Sequence, residues 1–218
     1  TVTGRPLCDS LKEAPNYNQD VIRPLSNPVY PEGSLAVLKG NLAPNGAVIK
    51  PAAMEPKFMR HRGPALVADS YNDLKQIIND PEATITADHV LILRNAGPQG
   101  GPGMPEWGMI PMPQRLLNEG HRDMVRLSDA RMSGTSYGAC ILHVSPEAFV
   151  GGPLALIKSG DMISLDVPSR SLNVELTEDE LAERRAAWVQ PKPRYQRGYG
   201  WIFSKHIAIT FHIFSNQF

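Results

Sequence analysis

The 218-residue sequence predicts a mixed α/β fold, a compact barrel or mixed sheet with short helices on its flanks. Three observations lead there. Apolar runs of strand length are short and numerous, the helical patterns between them are equally short, and stretches long enough for repeated βαβ crossovers are scarce. One domain over 34–208 is the simplest organisation, preceded by a proline-rich, aperiodic arm over 1–33.

Each element has its own signal. "LAVL" (35–38) and "AVIK" (47–50) flank Gly, Asn and Pro turn chemistry and read as two strands. Ser70 and Asp73 form an S-x-x-D cap for a helix over 71–79, with Leu74, Ile77 and Ile78 as its apolar face. "HVLILR" (89–94) is apolar without alternation, as a strand buried on both faces must be. "PQRLLNEG" (113–120) carries Pro113 early and Gly120 just past the end of a short helix. "MVRL" (124–127) and the run "ILHVSPE" (141–147) read as strands, and "GGPLALIKSG" (151–160) as a short helix closed by Gly160. "MISLDV" (162–167) and "LNVEL" (172–176) flank "PSRS" as a hairpin. Thr177 and Glu180 then make a capping box that opens a helix through about Ala187, acidic first and basic last, as its dipole favours.

Composition narrows the function classes. Basic and acidic residues number 22 each, so no net charge draws the chain to nucleic acid or to an anionic membrane. No apolar run reaches the roughly 18 residues of a membrane helix, and "TVTGRPLCDS" lacks the regions of a signal peptide. The first residue is not Met, which raises the expectation that the chain begins partway through a longer one. Cys8 and Cys140 are too few and too far apart for a metal motif of their own; two free thiols in a cytoplasmic, reducing setting are expected.

Two loops, each following a strand, attract chemistry. The first, "AGPQGGPGMPEWG" (96–108), holds five glycines, three prolines and one carboxylate, Glu106. It matches neither a P-loop nor a dinucleotide fingerprint, and Pro98, Pro102 and Pro105 remove amides that a phosphate cradle would use. Glu106 reads either as a solvated loop residue or as one oxygen ligand for a hard cation such as Mg²⁺, which needs further ligands from elsewhere. Trp107 could line a pocket or pack the loop, and packing is the expectation. The second loop, "DARMSGTSYG" (129–138), presents Ser133. A serine before Gly and Thr can simply form a turn, or its hydroxyl can be activated by nearby positive charge, for which Arg131 is at hand. His143 reads as a satisfied core histidine. No G-x-S-x-G elbow is present.

Taken together, "GNLAPNGAVIK" (40–50), "GPQGGPGMPE" (97–106), "SDARMSGTSYG" (128–138), "HVSPEAFVGGPLALIKSGDMISLDVPSR" (143–170) and "RRAAW" (184–188) resemble the carboxy-terminal domain of the dihydroxy-acid and phosphogluconate dehydratases over nearly the whole chain. "MPEWG" and "ARMSGTSYG" look closest to the sugar-acid dehydratases of the arabinonate and xylonate type. The resemblance implies a β-barrel-like swivelling domain, similar to that of aconitase-type enzymes. It implies a hydro-lyase that turns a 2,3-dihydroxy acid into a 2-keto acid, using an iron–sulfur cluster and Mg²⁺. Carried onto this sequence, Ser133 matches the base that removes the C2 proton and Glu106 a Mg²⁺ ligand; Arg131 and Thr135 are lesser candidates for substrate contact.

The family's cluster cysteines and remaining Mg²⁺ ligands, a modified lysine among them, belong to an amino-terminal domain that these motifs do not include. The isolated chain is therefore expected to be inactive. Self-association into a dimer or tetramer is expected of the complete protein. The ending over 209–218 departs from the family's acidic pattern. Three alternatives stand beside this reading: a non-catalytic assembly or regulatory paralogue, a branched-chain biosynthetic dihydroxy-acid dehydratase, and a subunit like the small one of isopropylmalate isomerase, which the paired loops disfavour.

Overall fold

The computed structural model describes residues 1–207, so the tail over 209–218 lies outside the described residues. Two units are distinguished by their internal contacts, Thr1–Gly33 and the chain from Ser34 onward. In the first, a short helix, α1 (Leu7–Leu11), is followed by turns stitched locally, as where Asn18 donates its amide to the Asn16 side chain at 3.2 Å.

The second unit is built on β1 (Ala36–Leu38), β2 (Gly46–Ile49), β3 (Arg60–Ala68), α2 (Tyr71–Asn79), β4 (Val90–Leu93), α3 (Gln114–Asn118), β5 (Arg126–Ser128), β6 (Cys140–Ser145), β7 (Met162–Asp166), β8 (Ser171–Val174), α4 (Glu178–Ala187) and α5 (Gly198–His206). Its eight strands form one sheet in the order β1-β2-β6-β5-β4-β3-β7-β8. The middle four, β3 to β6, pair parallel, and the hairpins at either side pair antiparallel. Residue Lys39, just past β1, then bridges to Ser171 in β8 and nearly closes the sheet into a barrel. The mixed α/β, barrel-like expectation is met.

The closure depends on a tight approach. Lys39 donates to the Arg170 carbonyl and accepts from the Leu172 amide, both at 2.9 Å. Asn41 extends this ladder with its side chain, donating to the Val174 carbonyl at 2.9 Å and accepting from the Val174 amide at 2.8 Å. Between them sits Gly40, where a Cβ would lie 2.1 Å from the Leu172 carbonyl oxygen, so the seam admits no side chain there.

Burial divides the apolar residues into two cores. Leu38, Ile49, Ile92, Leu127, Ile141, Ile163 and Leu172 fill the barrel. Leu74, Ile78, Leu91, Leu93, Leu116 and Met124 pack outside it, beneath α2 and α3. Strand β4 serves both: Val90 and Ile92 point inward, Leu91 and Leu93 outward, and all four are fully buried. Two-sided burial is why its sequence shows no alternation.

Local signals were reliable where they were self-contained. Helix α2 spans 71–79 with Ser70 accepting from the Asp73 amide at 3.1 Å, and α4 opens on a complete Thr177–Glu180 capping box. Strands β7 and β8 form the expected hairpin. The helix expected over 151–160 is instead a single 3-10 turn, Pro153–Leu156. Leu154, Leu156 and Ile157 are all buried, a spacing that one helical face cannot present, and the tertiary core prevails over propensity. Strand β5 begins two residues later than "MVRL" implied.

Three labelled elements carried no recognised signal, α1, β3 and α5. In β3 the pattern is broken by Gly63 and Pro64, and Gly63 is required because a Cβ there would lie 1.8 Å from the Asp88 carbonyl oxygen. We expect Gly40→Ala to lower stability by roughly 1–3 kcal/mol, the usual cost of overpacking. A thermal melt that matches the parent would show that the barrel seam can open without penalty.

Candidate active site

Parallel neighbours end at the same edge of a sheet, and this brings the two loops together. β4 and β5 pair in register with Leu93 beside Ser128, so the glycine-rich loop after β4 and the serine loop after β5 leave side by side. They touch closely: a Cβ on Gly108 would lie 2.4 Å from the Arg131 carbonyl oxygen. Across this contact Arg131 donates from Nε to the Met104 carbonyl at 2.7 Å and pairs with the Glu106 carboxylate at 3.0 Å. Glu106 itself stays 56% exposed. Ser133 follows two residues later, half-buried, with its hydroxyl 3.0 Å from that of Thr135 and accepting the Thr135 amide at 3.3 Å. Glu106 and Arg131 are thus in direct contact, and Ser133 and Thr135 form one polar pair on the same loop as Arg131.

Several further side chains hold this arrangement, and among them sequence reasoning had singled out His143 alone. Lys50, at the end of β2, donates to the carbonyls of Ser133, Gly134 and Ser136 at 2.8, 3.1 and 3.3 Å. His143 in β6 accepts the Met132 amide at Nε2, 2.7 Å away, which places its ring proton on Nδ1. Burial, helped by the charge of Arg131, holds its pKa below the ordinary histidine value, in keeping with a neutral ring. At the far end of the serine loop Arg126, fully buried, donates to the Tyr137 and Ile110 carbonyls at 3.1 and 3.0 Å and pairs with buried Asp123 at 3.0 Å. Asp123 in turn accepts the Ala139 amide at 2.9 Å. For Arg126 and Asp123 the one visible sign was Arg126 inside an apolar run, since an arginine is buried only when paired.

The glycine-rich loop is anchored from beneath by two more buried carboxyl groups. Asp129, with no exposed surface, accepts the amides of Ala96 and Ala148, both at 2.9 Å. Glu147 accepts those of Gln99 at 3.0 Å and Gly100 at 2.8 Å. Its carboxylate lies where a Cβ on Gly97 would stand, 2.7 Å away, so the loop must be bare at that point. Burial pushes Asp129 up to about 6 and Glu147 up to about 7, against the opposing pull of the amides each accepts; the Asp129 charge raises Glu147 further.

Groups with pKa values raised by folding favour the protonated native state. Their contribution is complete below the unfolded values near 4 and is lost as pH climbs through about 6 to 7. We therefore expect the melting temperature to fall between pH 5 and pH 8. Glu147→Gln, which keeps an acceptor for the Gly100 amide, should flatten the upper part of that slope; an unchanged slope would remove Glu147 as its source.

The chemistry of the donors limits what this chain holds alone. Among the described residues no group of three or more His, Cys, Asp or Glu side chains is placed to bind a metal. Glu106, its side chain 56% exposed, is a carboxylate that could serve as one ligand of a hard cation. Cys140 is buried and donates to the Tyr137 carbonyl, while Cys8 is exposed; both are free thiols. Trp107 packs, stacking on Tyr71 at 5.7 Å beneath the Arg194 guanidinium. It borders a cavity of about 180 Å³, shared with Arg94 and Lys192, whose lining includes neither Glu106 nor Ser133. Among the described residues no helix is long and apolar enough to cross a membrane.

The comparisons with known proteins agree with one another. The family described as "Dihydroxy-acid/6-phosphogluconate dehydratase C-terminal" matches residues 20–210. The chain is 53% identical to the 6-deoxy-6-sulfo-D-gluconate dehydratase of Pseudomonas putida, covering 94% of this chain and 36% of that protein. It is 50% identical to the L-arabonate dehydratase of Azospirillum brasilense (88% and 33%) and 42% identical to a dihydroxy-acid dehydratase of Caldanaerobacter subterraneus (95% and 37%). It thus spans about a third of the length of these relatives. With the two loops joined at the barrel edge and the match running along nearly all of the sequence, this chain belongs to the dihydroxy-acid/6-phosphogluconate dehydratase family as its carboxy-terminal domain.

Proposed function

We propose that this domain supplies the base and one metal ligand of a dehydratase that converts a 2,3-dihydroxy acid, most naturally a sugar acid, into a 2-keto acid. The observation that carries the reading is the Arg131 bridge. It ties the Glu106 carboxylate to the loop that carries Ser133, whose hydroxyl already accepts an amide hydrogen bond.

In this reading Ser133 Oγ, as the alkoxide, takes the proton from C2 of the substrate. The C2–C3 double bond forms as the C3 hydroxyl departs, leaving as water once protonated, and the enol then tautomerises to the ketone. A serine hydroxyl is a poor base at its ordinary pKa and needs surroundings that favour its anion. Thr135 provides a hydroxyl and an amide at Ser133 Oγ, and Arg131 and Lys50 provide positive charge on the same loop. Arg131, a candidate for substrate contact, also holds the Glu106 carboxylate. Mg²⁺ and an iron–sulfur cluster, when bound, would supply Lewis acidity toward the substrate's carboxylate and hydroxyls. Glu106 is the residue of this chain that would hold the Mg²⁺, and the cluster would be held outside the chain. The 218 residues alone are accordingly expected to show no turnover.

The test is 2-keto acid release by the complete, cofactor-loaded enzyme from a panel of aldonic acids. Loss of the base should lower kcat by about 10²–10⁴-fold in Ser133→Ala with the fold retained. Glu106→Gln should lower activity and demand more Mg²⁺ for half-maximal rate. A Ser133→Ala enzyme within threefold of the parent would refute the assignment, and an inert parent with cofactors in place would favour a structural or regulatory module.

A further inference from the structure

Lys50 is unusual in how its charge is used. Its ammonium has three protons and makes three hydrogen bonds, all to carbonyls of one turn: Ser133 at 2.8 Å, Gly134 at 3.1 Å and Ser136 at 3.3 Å. These carbonyls converge on one point only if the chain curls between them, and the residue at the crest of the curl is Thr135. The same curl aims the Thr135 amide and hydroxyl at Ser133 Oγ. A second tie closes it from inside, where Ser136 Oγ accepts the Ser133 amide at 3.2 Å. The base of the lysine is rigidly placed, since β2 pairs with β6 and Val48 stands beside Leu142.

A neutral donor could have capped one of these carbonyls. A cation capping three of them brings a full positive charge to the residue whose side chain must become an anion. The attraction is felt most once Ser133 loses its proton, which is the condition for an effect on the reaction rather than on the resting fold.

We infer that Lys50 is a positioning residue for the serine base: it curls the Ser133–Ser136 turn around its ammonium and stabilises the alkoxide through that turn. The inference rests on the reading of Ser133 as the base, and it is not a claim that Lys50 touches substrate.

The experiment compares Lys50→Met, Lys50→Arg and Ser133→Ala with the parent in the complete, cofactor-loaded enzyme. Rates are normalised to folded, cluster-bearing protein and measured across pH. Lys50→Met should lower kcat at least tenfold with KM within about threefold, and the rising alkaline limb of kcat should move to higher pH. Lys50→Arg, which keeps the charge, should recover part of the rate and most of the pH profile. Independently of activity, amide hydrogen exchange over residues 131–138 should quicken in Lys50→Met and not in Ser133→Ala. Should Lys50→Met yield no folded protein, the pH profile of Lys50→Arg against that of Lys50→Gln decides, the charged variant lying nearer the parent. The inference is overturned if kcat per folded enzyme and its pH profile match the parent, or if Arg and Gln at position 50 behave alike. If Ser133→Ala itself turns over normally, the proposed function fails first, a result distinct from failure at Lys50 alone.

Discussion

The parallel register of β4 and β5 is the constraint on which the rest of the site depends. Parallel strands deliver their following loops to the same edge, whereas antiparallel ones would send them to opposite ends. With Leu93 beside Ser128, the glycine-rich loop and the serine loop have no choice but to meet. That register is secured by burial on both faces, since Leu91 and Leu93 feed one core and Val90 and Ile92 the other. A one-residue slip would exchange the two sets and put each in the wrong core. The placement of Glu106 and Arg131 against each other is therefore set by hydrophobic packing a full strand away.

Above that frame, the loops are held by polar groups rather than by apolar contact. Asp129 and Glu147 take the amides at the start of the glycine loop, Lys50 takes the carbonyls of the serine loop, and Arg126 with Asp123 takes its end. Loops rich in Gly and Pro have few side chains to bury, so their backbone groups must find partners elsewhere or remain unsatisfied. Burying carboxylates to meet that need is costly, and the raised pKa values of Asp129 and Glu147 record the cost. In return the amides at the start of the bare loop have fixed acceptors.

How much of this was legible in the sequence follows the range of the interaction. Helices α2 and α4 were plain because Ser70–Asp73 and Thr177–Glu180 are caps written within four residues. Strand β4 was plain because burial on both faces leaves a run of apolar letters. Strand β3 was not, since its Gly63 answers to the Asp88 backbone passing over it and Pro64 breaks the expected pattern. Glu106 and Ser133 were singled out by resemblance to a family; their residue types alone left a solvated carboxylate and a turn serine equally open. Lys50 and Glu147 were missed because they act across 83 and 47 positions of sequence, from places where a terminal lysine and a loop glutamate look ordinary.

Exposure separates the supporting groups from the carboxylate and the serine of the two loops. Asp129, Asp123, Arg126 and Glu147 are buried, each with at least one partner of fixed geometry. Glu106 faces outward, and the turn that carries Ser133 presents Gly134 and Thr135 to solvent. A self-sufficient active site would enclose its charged groups to strengthen their fields. Here the enclosure exists on one side only, and the open side is the one that carries the carboxylate and the serine. Such a surface leaves the carboxylate and the serine accessible above a frame whose supporting groups already have their hydrogen-bond partners.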